Sequence, residues 1–223
     1  SPDGRQIVYR LNTEDGKELL WVRALDSLDA RPLAGTDGAV QPFWSPDSRS
    51  VGFFANTKLK RIDTSGGAAQ PLCDASSNVS GAWGRDGTII FSRGVASGLY
   101  RIPAAGGTPI QVTQVDGSRN EIEHIWPYFL PDGRHFIYLV RNAQPENSSI
   151  YVGSLDSKET KSLLQVHSSI VYAPSGYLLF VRDTTLMAQA FDADRLELKG
   201  DAFPVAEQAS RNPIIGRAMF SVS

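Results

Sequence analysis

The sequence predicts an all-β chain, a β-propeller of four-stranded antiparallel blades, on three observations. First, an aromatic residue followed two positions later by proline, or by its stand-in, recurs at the head of a tight turn. The instances are Trp44-Ser45-Pro46-Asp47, Trp83-Gly84-Arg85-Asp86-Gly87, Phe129-Leu130-Pro131-Asp132-Gly133, Tyr172-Ala173-Pro174-Ser175-Gly176 and Phe220-Ser221-Val222, and Ser1-Pro2-Asp3-Gly4-Arg5 opens the chain. The proline positions 2, 46, 85, 131, 174 and 222 lie 39 to 48 residues apart, which is the period of propeller blades. Second, each interval holds several short runs with strand character and none with a helical period, so no helix longer than a turn is expected. Third, proline recurs in the last run of an interval, in Arg31-Pro32-Leu33, Gln70-Pro71-Leu72 and Phe203-Pro204-Val205. Proline cannot donate to a ladder, so that run is an outer edge strand.

Taken in order, the first strand of each unit ends in the aromatic, at 41–44, 80–83, 125–129, 170–172 and 217–220. The Pro-Asp-Gly stretch then turns the chain: Pro presets φ, Asp accepts a backbone N–H, and Gly tolerates positive φ. Second strands rich in branched and aromatic residues follow at 7–9, 51–54, 88–91, 136–140 and 177–181. Third strands at 19–22, 59–62, 99–102, 150–152 and 186–191 alternate apolar and polar residues. Gly-rich turns, clearest at Ser65-Gly66-Gly67 and Ala105-Gly106-Gly107, lead to fourth strands at 31–33, 70–72, 108–113, 161–164 and 203–205.

This phasing gives a single propeller domain over 1–223. It holds a partial blade at 1–33, blades at 41–73, 80–113, 124–164 and 168–205, and a first strand of a further blade at 216–222. The chain opens and stops at the same phase of the repeat, so the expectation is a piece of a larger propeller. Pairing of the orphan strand beside the opening repeat, closing five blades, is the alternative.

Composition narrows the class. A chain of 223 residues with 41% hydrophobic and 21% charged residues is that of a globular domain. A net charge of −2 argues against nucleic acid as the main partner, because phosphate binding needs a basic surface. No apolar run approaches the roughly 18 residues of a membrane span. Cys73 is the one cysteine, which excludes an internal disulfide, and its place in a strand marks it as a small hydrophobe.

The repeats resemble the TolB-type, WD-repeat-like β-propeller family. The motifs that carry the likeness are Trp44-Ser45-Pro46-Asp47 and Leu130-Pro131-Asp132-Gly133-Arg134, with the Gly-Gly turns and the Leu99-Tyr100-Arg101 third strand. More narrowly, Gln41 to Arg49 with Phe53-Phe54 and Leu59-Lys60-Arg61-Ile62-Asp63, and His124-Ile125-Trp126-Pro127-Tyr128-Phe129, are similar to the C-terminal propellers of bacterial eukaryotic-like serine/threonine protein kinases. The resemblance covers nearly the whole chain. It implies a non-catalytic sensor or scaffold module, covalently linked to further domains and binding a protein or small molecule at the channel face. A membrane-spanning parent would place it outside the cytoplasm, and a soluble parent inside. No Gly-rich phosphate loop, His-Arg-Asp or Asp-Phe-Gly motif occurs here, so any kinase domain would be elsewhere. Arg85 in place of proline and Ser175 in place of aspartate depart from the pattern, both at structural turns.

Several residues invite chemistry. Asp3, Asp47, Asp86 and Asp132 suggest catalytic carboxylates, but identical turns on successive blades spread them apart, and turn capping accounts for each. Glu121, Glu123 and His124 form the tightest acid/His cluster, a candidate for acid/base or metal work weighed against a hydrogen-bonded loop histidine. Asp116-Gly117-Ser118-Arg119-Asn120-Glu121 has oxygen donors at alternate positions but lacks the spacing of a calcium loop. The segment 114–123 is one of the longest connections between blades, where binding residues concentrate. No catalytic residue, metal or cofactor is expected in this segment. The expected contacts, at inter-blade loops and the channel mouth, are Asp37, Gln41, Asn78, Ser80, Arg119, Glu121, Glu123, His124, His167, Arg211 and Arg217. The competing reading is a propeller hydrolase of glycosides or lactones, or a propeller lid on a peptidase, for which two carboxylates converging on one pocket would speak.

Overall fold

The computed structural model of the chain describes residues 1–13, 15–76 and 80–222. Among them nineteen strands form an all-β, five-bladed propeller fold of antiparallel sheets. The first blade has three strands, β1 (Gln6–Asn12), β2 (Glu18–Ala24) and β3 (Ala30–Pro32). The second holds β4 (Val40–Trp44), β5 (Ser50–Ala55), β6 (Lys58–Asp63) and β7 (Gln70–Asp74). The third holds β8 (Gly81–Trp83), β9 (Thr88–Ser92), β10 (Leu99–Pro103) and β11 (Ile110–Gln111). The fourth holds β12 (Glu121–Phe129), β13 (His135–Asn142), β14 (Ser149–Ser154) and β15 (Thr160–Gln165), and the fifth β16 (Ile170–Ala173), β17 (Tyr177–Arg182), β18 (Thr185–Asp192) and β19 (Glu197–Glu207). Each sheet runs in sequence order, so every connection within a blade is a hairpin.

The turn chemistry repeats as the sequence implies. Ser45 Oγ donates to Asp47 Oδ1 at 2.6 Å, Asp47 accepts the Arg49 N–H, and Ser50 N–H donates back to Ser45 Oγ. Ser1, Asp3, Arg5 and Gln6 reproduce that pattern. Asp86 and Asp132 accept the N–H groups of Thr88 and Arg134 in the corresponding turns. The Ser45 hydrogen bond is the largest cause holding Asp47 below the ordinary carboxylate pKa, as the Ser1 bond is for Asp3. These carboxylates are turn caps.

The chain divides into two compact units, one of residues 1–94 with 100–110 and the other of residues 95–99 with 111–222. In the first, one core joins Leu20 and Val22 of β2 to Val51 and Phe53 of β5, and a second joins Phe54 and Leu59 to Ile89, Phe91 and Ile102. In the second unit a single core joins Ile125, Ile137, Leu139 and Ile150 to Ile170, Leu178, Phe180 and Phe191. Each core lies between successive blades, which is why the middle strands read as almost unbroken apolar runs: β5 is buried from Val51 to Ala55. Burying a side chain such as Phe53 contributes about 1.5–3 kcal/mol. Cys73 is half-buried on β7, and burial pushes its thiol pKa up.

Three elements differ from expectation. β11 is reduced to two residues within the expected 108–113. β19 extends over eleven residues, although Gly200 and Pro204 interrupt its sequence, because register shifts against β18 absorb both. The expected first strand at 216–222 does not form. Instead Asn212 turns the chain: its Oδ1 accepts the N–H groups of Ile214 and Ile215, and its carbonyl accepts Gly216 N–H. Only an isolated bridge, Arg211 to Ala218, remains, since the local bonds consume the backbone groups that a strand would offer.

Candidate functional site

The approach to blade 4 builds a polar cavity. Asp116 caps a single 3-10 turn, Gly117–Arg119, by accepting Ser118 N–H at 3.0 Å, and Asn120 in the left-handed region (φ 57°) redirects the chain into β12. Asn142 Nδ2 holds the turn from β13 by donating to the Arg119 carbonyl at 2.8 Å. Early in β12 the register shifts, with Glu121 opposite Asn142 but Glu123 opposite Arg141. Regular alternation would put residues 121 and 123 on one face and 124 on the other. The bulge overturns that: Glu121 meets His124, while Glu123 pairs with Arg141.

The resulting cavity, about 370 Å³, belongs wholly to the second unit. Its floor is His124, Tyr138, Val140 and Tyr151, and its rim includes Gln111, Gln114, Asp116, Arg119, Lys158 and Thr160. His124 is 3% exposed. Its Nε2 lies 3.2 Å from Glu121 Oε2 and its Nδ1 lies 2.7 Å from Thr113 Oγ1. Glu121 Oε2 also accepts the Asp116 N–H at 2.9 Å. Burial lowers the His124 pKa, with Glu121 opposing. A neutral ring must give its one proton to the nitrogen that faces the carboxylate, so Nε2 donates to Glu121 and Nδ1 accepts the Thr113 hydroxyl. Arg119 donates through Nη2 to the Tyr151 hydroxyl, and its guanidinium sits 5.8 Å from that ring's centroid. Asp116 is held below its ordinary pKa, chiefly by the Ser118 hydroxyl. Among the described residues no three His, Cys, Asp or Glu side chains gather as a metal site. None of the described helices is long and apolar enough to cross a membrane.

Of the residues expected from sequence, Arg119, Glu121 and His124 meet here. Glu123 leaves the cavity face for a buried pair with Arg141. Asp37, Gln41 and Ser80 belong to the first unit. Asp37 is exposed in a turn, Gln41 sits at the β4 bulge with φ 51°, and buried Ser80 donates its N–H to Ser92 Oγ and accepts the Ser92 N–H on its carbonyl. Asn78 lies outside the described residues. His167, Arg211 and Arg217 gather instead around the C-terminal turn. The His167 pKa is lowered by burial and then by Arg211 and Arg141, and Arg217 stands 5.7 Å from the centroid of the Trp126 ring. Tyr138, Tyr151, Lys158 and Thr160 had no signal of their own, because alternation along β13 and β14 does not say which face a neighbouring blade covers. Trp126 announces itself only through a positive φ of 56° inside a strand.

No family model matches the chain. No curated protein matches it either. Solved structures do. TolB from Acinetobacter baumannii superposes with a TM-score of 0.69 at 15% identity, over 93% of this chain and 53% of that one. Oligogalacturonate lyase from Vibrio parahaemolyticus gives 0.63 at 11% identity, over 93% and 64%. A chain of a nidogen/laminin complex gives 0.66 at 10% identity, over 90% and 76%. The chain therefore spans about half the length of that TolB and under two thirds of that lyase. At these identities the likeness speaks for architecture alone, and that architecture is a TolB-like β-propeller.

Proposed function

We propose that the chain is a non-catalytic binding module of a larger bacterial protein, with the cavity above His124 as its ligand site. The observation behind this reading is that both ring nitrogens of His124 are spent on Glu121 and Thr113. A general base needs an unspent lone pair aimed at its substrate. Asp116, the other acid on the rim, is biased toward its ionised form, whereas a two-carboxylate hydrolase needs one acid kept protonated. The likeness of the repeats around Trp44 and Pro131 to kinase-linked propellers extends the proposal to a signalling parent, in which this domain senses and another responds. A thermal-shift panel of small polar metabolites tests the reading. A ligand that raises Tm saturably, is recovered unchanged, and loses its effect in Arg119→Ala supports it. A panel in which nothing stabilises the chain contradicts it.

The second reading, a propeller hydrolase, is favoured by one feature, the Glu121–His124 pair at 3.2 Å on a cavity wall. Turnover of a panel compound, abolished by Glu121→Gln, would establish it in place of the first.

A further inference from the structure

The hydrogen-bond balance of the cavity is uneven. Its buried carboxylate is engaged: Glu121, with its side chain 7% exposed, takes Asp116 N–H and His124 Nε2–H on one oxygen and faces the Arg119 guanidinium with the other. Several of the cavity's donors are not. Tyr151 is 8% exposed, and its hydroxyl already accepts from Arg119, so its own proton has no acceptor among the described residues. Lys158, on the same cavity, makes no ion pair or hydrogen bond among the described residues. Arg119 spends one N–H on that neutral hydroxyl, and its nearest carboxylate oxygen, Glu121 Oε1, stands 3.7 Å from Nε, beyond hydrogen-bond reach. Lys158 and a buried hydroxyl proton therefore lack a partner, while Arg119, ion-paired with Glu121, keeps further N–H groups for a second anion. Other rim groups are different. Asp116 uses one oxygen on Ser118, and Gln111 donates to the Thr113 carbonyl, which leaves its own carbonyl oxygen open. Both offer acceptors to a ligand that carries hydroxyl groups.

We infer that this cavity binds a small hydroxylated carboxylate, its carboxylate received by Lys158, Arg119 and the Tyr151 hydroxyl and its hydroxyls by Asp116 and Gln111. The volume of about 370 Å³ is that of a small-molecule site. Charge-assisted bonds are the strong ones, so the carboxylate carries most of the affinity and the hydroxyls fix orientation. The inference rests on the binding-module reading and names the ligand class of the same cavity.

Calorimetric titration of the full chain with D-gluconate, with sorbitol (its uncharged counterpart) and with inorganic phosphate tests it. The expected result is saturable gluconate binding, with sorbitol at least about tenfold weaker, since a charge-assisted bond is about twice as strong as a neutral one. Lys158→Ala, an exposed position, and Tyr151→Phe, which keeps the ring, each weaken gluconate by about five- to tenfold. Sorbitol equal to gluconate overturns the inference. So does phosphate tighter than gluconate with the same dependence on Lys158, which would assign a phosphoryl ligand. If all three probes fail while another compound stabilises the chain through Arg119, the ligand class is wrong and the module reading stands. If nothing stabilises the chain, both fall.

Discussion

Thr113 Oγ1 lies 2.7 Å from His124 Nδ1 while also accepting the Leu99 N–H at 2.8 Å, so one hydroxyl ties the chain after β11 to both β10 and β12. With Glu121 at the other nitrogen, His124 is a neutral, buried strut bonded at both ends. Burial holds its folded pKa below the ordinary 6.5. The sign follows: as pH falls below about 6.5 the unfolded ring takes up a proton that the folded ring refuses, so folding stability drops with acid. His167, lowered chiefly by burial, adds in the same direction. The urea midpoint is expected to be lower at about pH 5.5 than at about pH 7.5, and the fall to be shallower in His124→Asn. Nitrogen chemical shifts should show Nε2 protonated at neutral pH. A Nδ1–H ring, or a midpoint indifferent to pH, contradicts the assignment.

Glu123 and Arg141 face each other across β12 and β13, with side chains 4% and 14% exposed. Removing one partner of such a pair strands the other charge. Glu123→Ala should therefore cost about 3–5 kcal/mol in chemical denaturation. Replacing both, as Glu123→Leu with Arg141→Met, should recover most of that loss. A single variant as stable as the parent would mean that the pair is solvated in solution.

Phe43 on β4 lies against two glycines, one on its own blade and one on the next. A Cβ at Gly52 would come within 2.3 Å of the Phe43 ring, and one at Gly81 within 2.6 Å. Neither glycine needs its freedom of φ, so the requirement is space. Gly52→Ala should destabilise by about 1–3 kcal/mol, the cost of overpacking. Combined with Phe43→Leu, the same substitution should cost clearly less, and a double-mutant cycle reads the coupling directly. Additive losses would exclude the ring as the obstacle.

The blades were legible because their signals are local. The Ser45–Asp47–Arg49 turn is closed by residues two to five positions apart, so its chemistry sits in adjacent letters. The cavity was only half legible. Arg119, Glu121 and His124 are near neighbours in sequence, but the bulge that pairs Glu121 with His124 and sends Glu123 to Arg141 depends on the register with β13. Tyr151 and Lys158 join from another hairpin, for which no short-range pattern exists. The stretch 217–220 has the composition of a strand, yet Asn212 and Gly216, with its φ of 65°, close it into a turn first.

That turn is docked, and its docking is testable. Trp126 Nε1 donates to the Ile215 carbonyl at 2.7 Å, Ser169 N–H donates to the Gly216 carbonyl, and Ala218 N–H donates to Ser169 Oγ at 2.9 Å. The fit is close, since a Cβ at Gly216 would stand 2.9 Å from the Leu139 side chain. Trypsin cuts after Arg211 and Arg217 only when the turn opens, so the cleavage rate reports the free energy of that local opening. Losing one hydrogen bond worth about 1 kcal/mol should speed cleavage about fivefold in Trp126→Phe, which keeps a ring beneath Arg217. Trp126→Ala removes the ring as well and should cleave faster still, with cuts appearing at those two arginines before any within the blades. Equal rates in all three proteins would mean that Ser169 alone holds the turn, and Ser169→Ala would then be the variant that releases it.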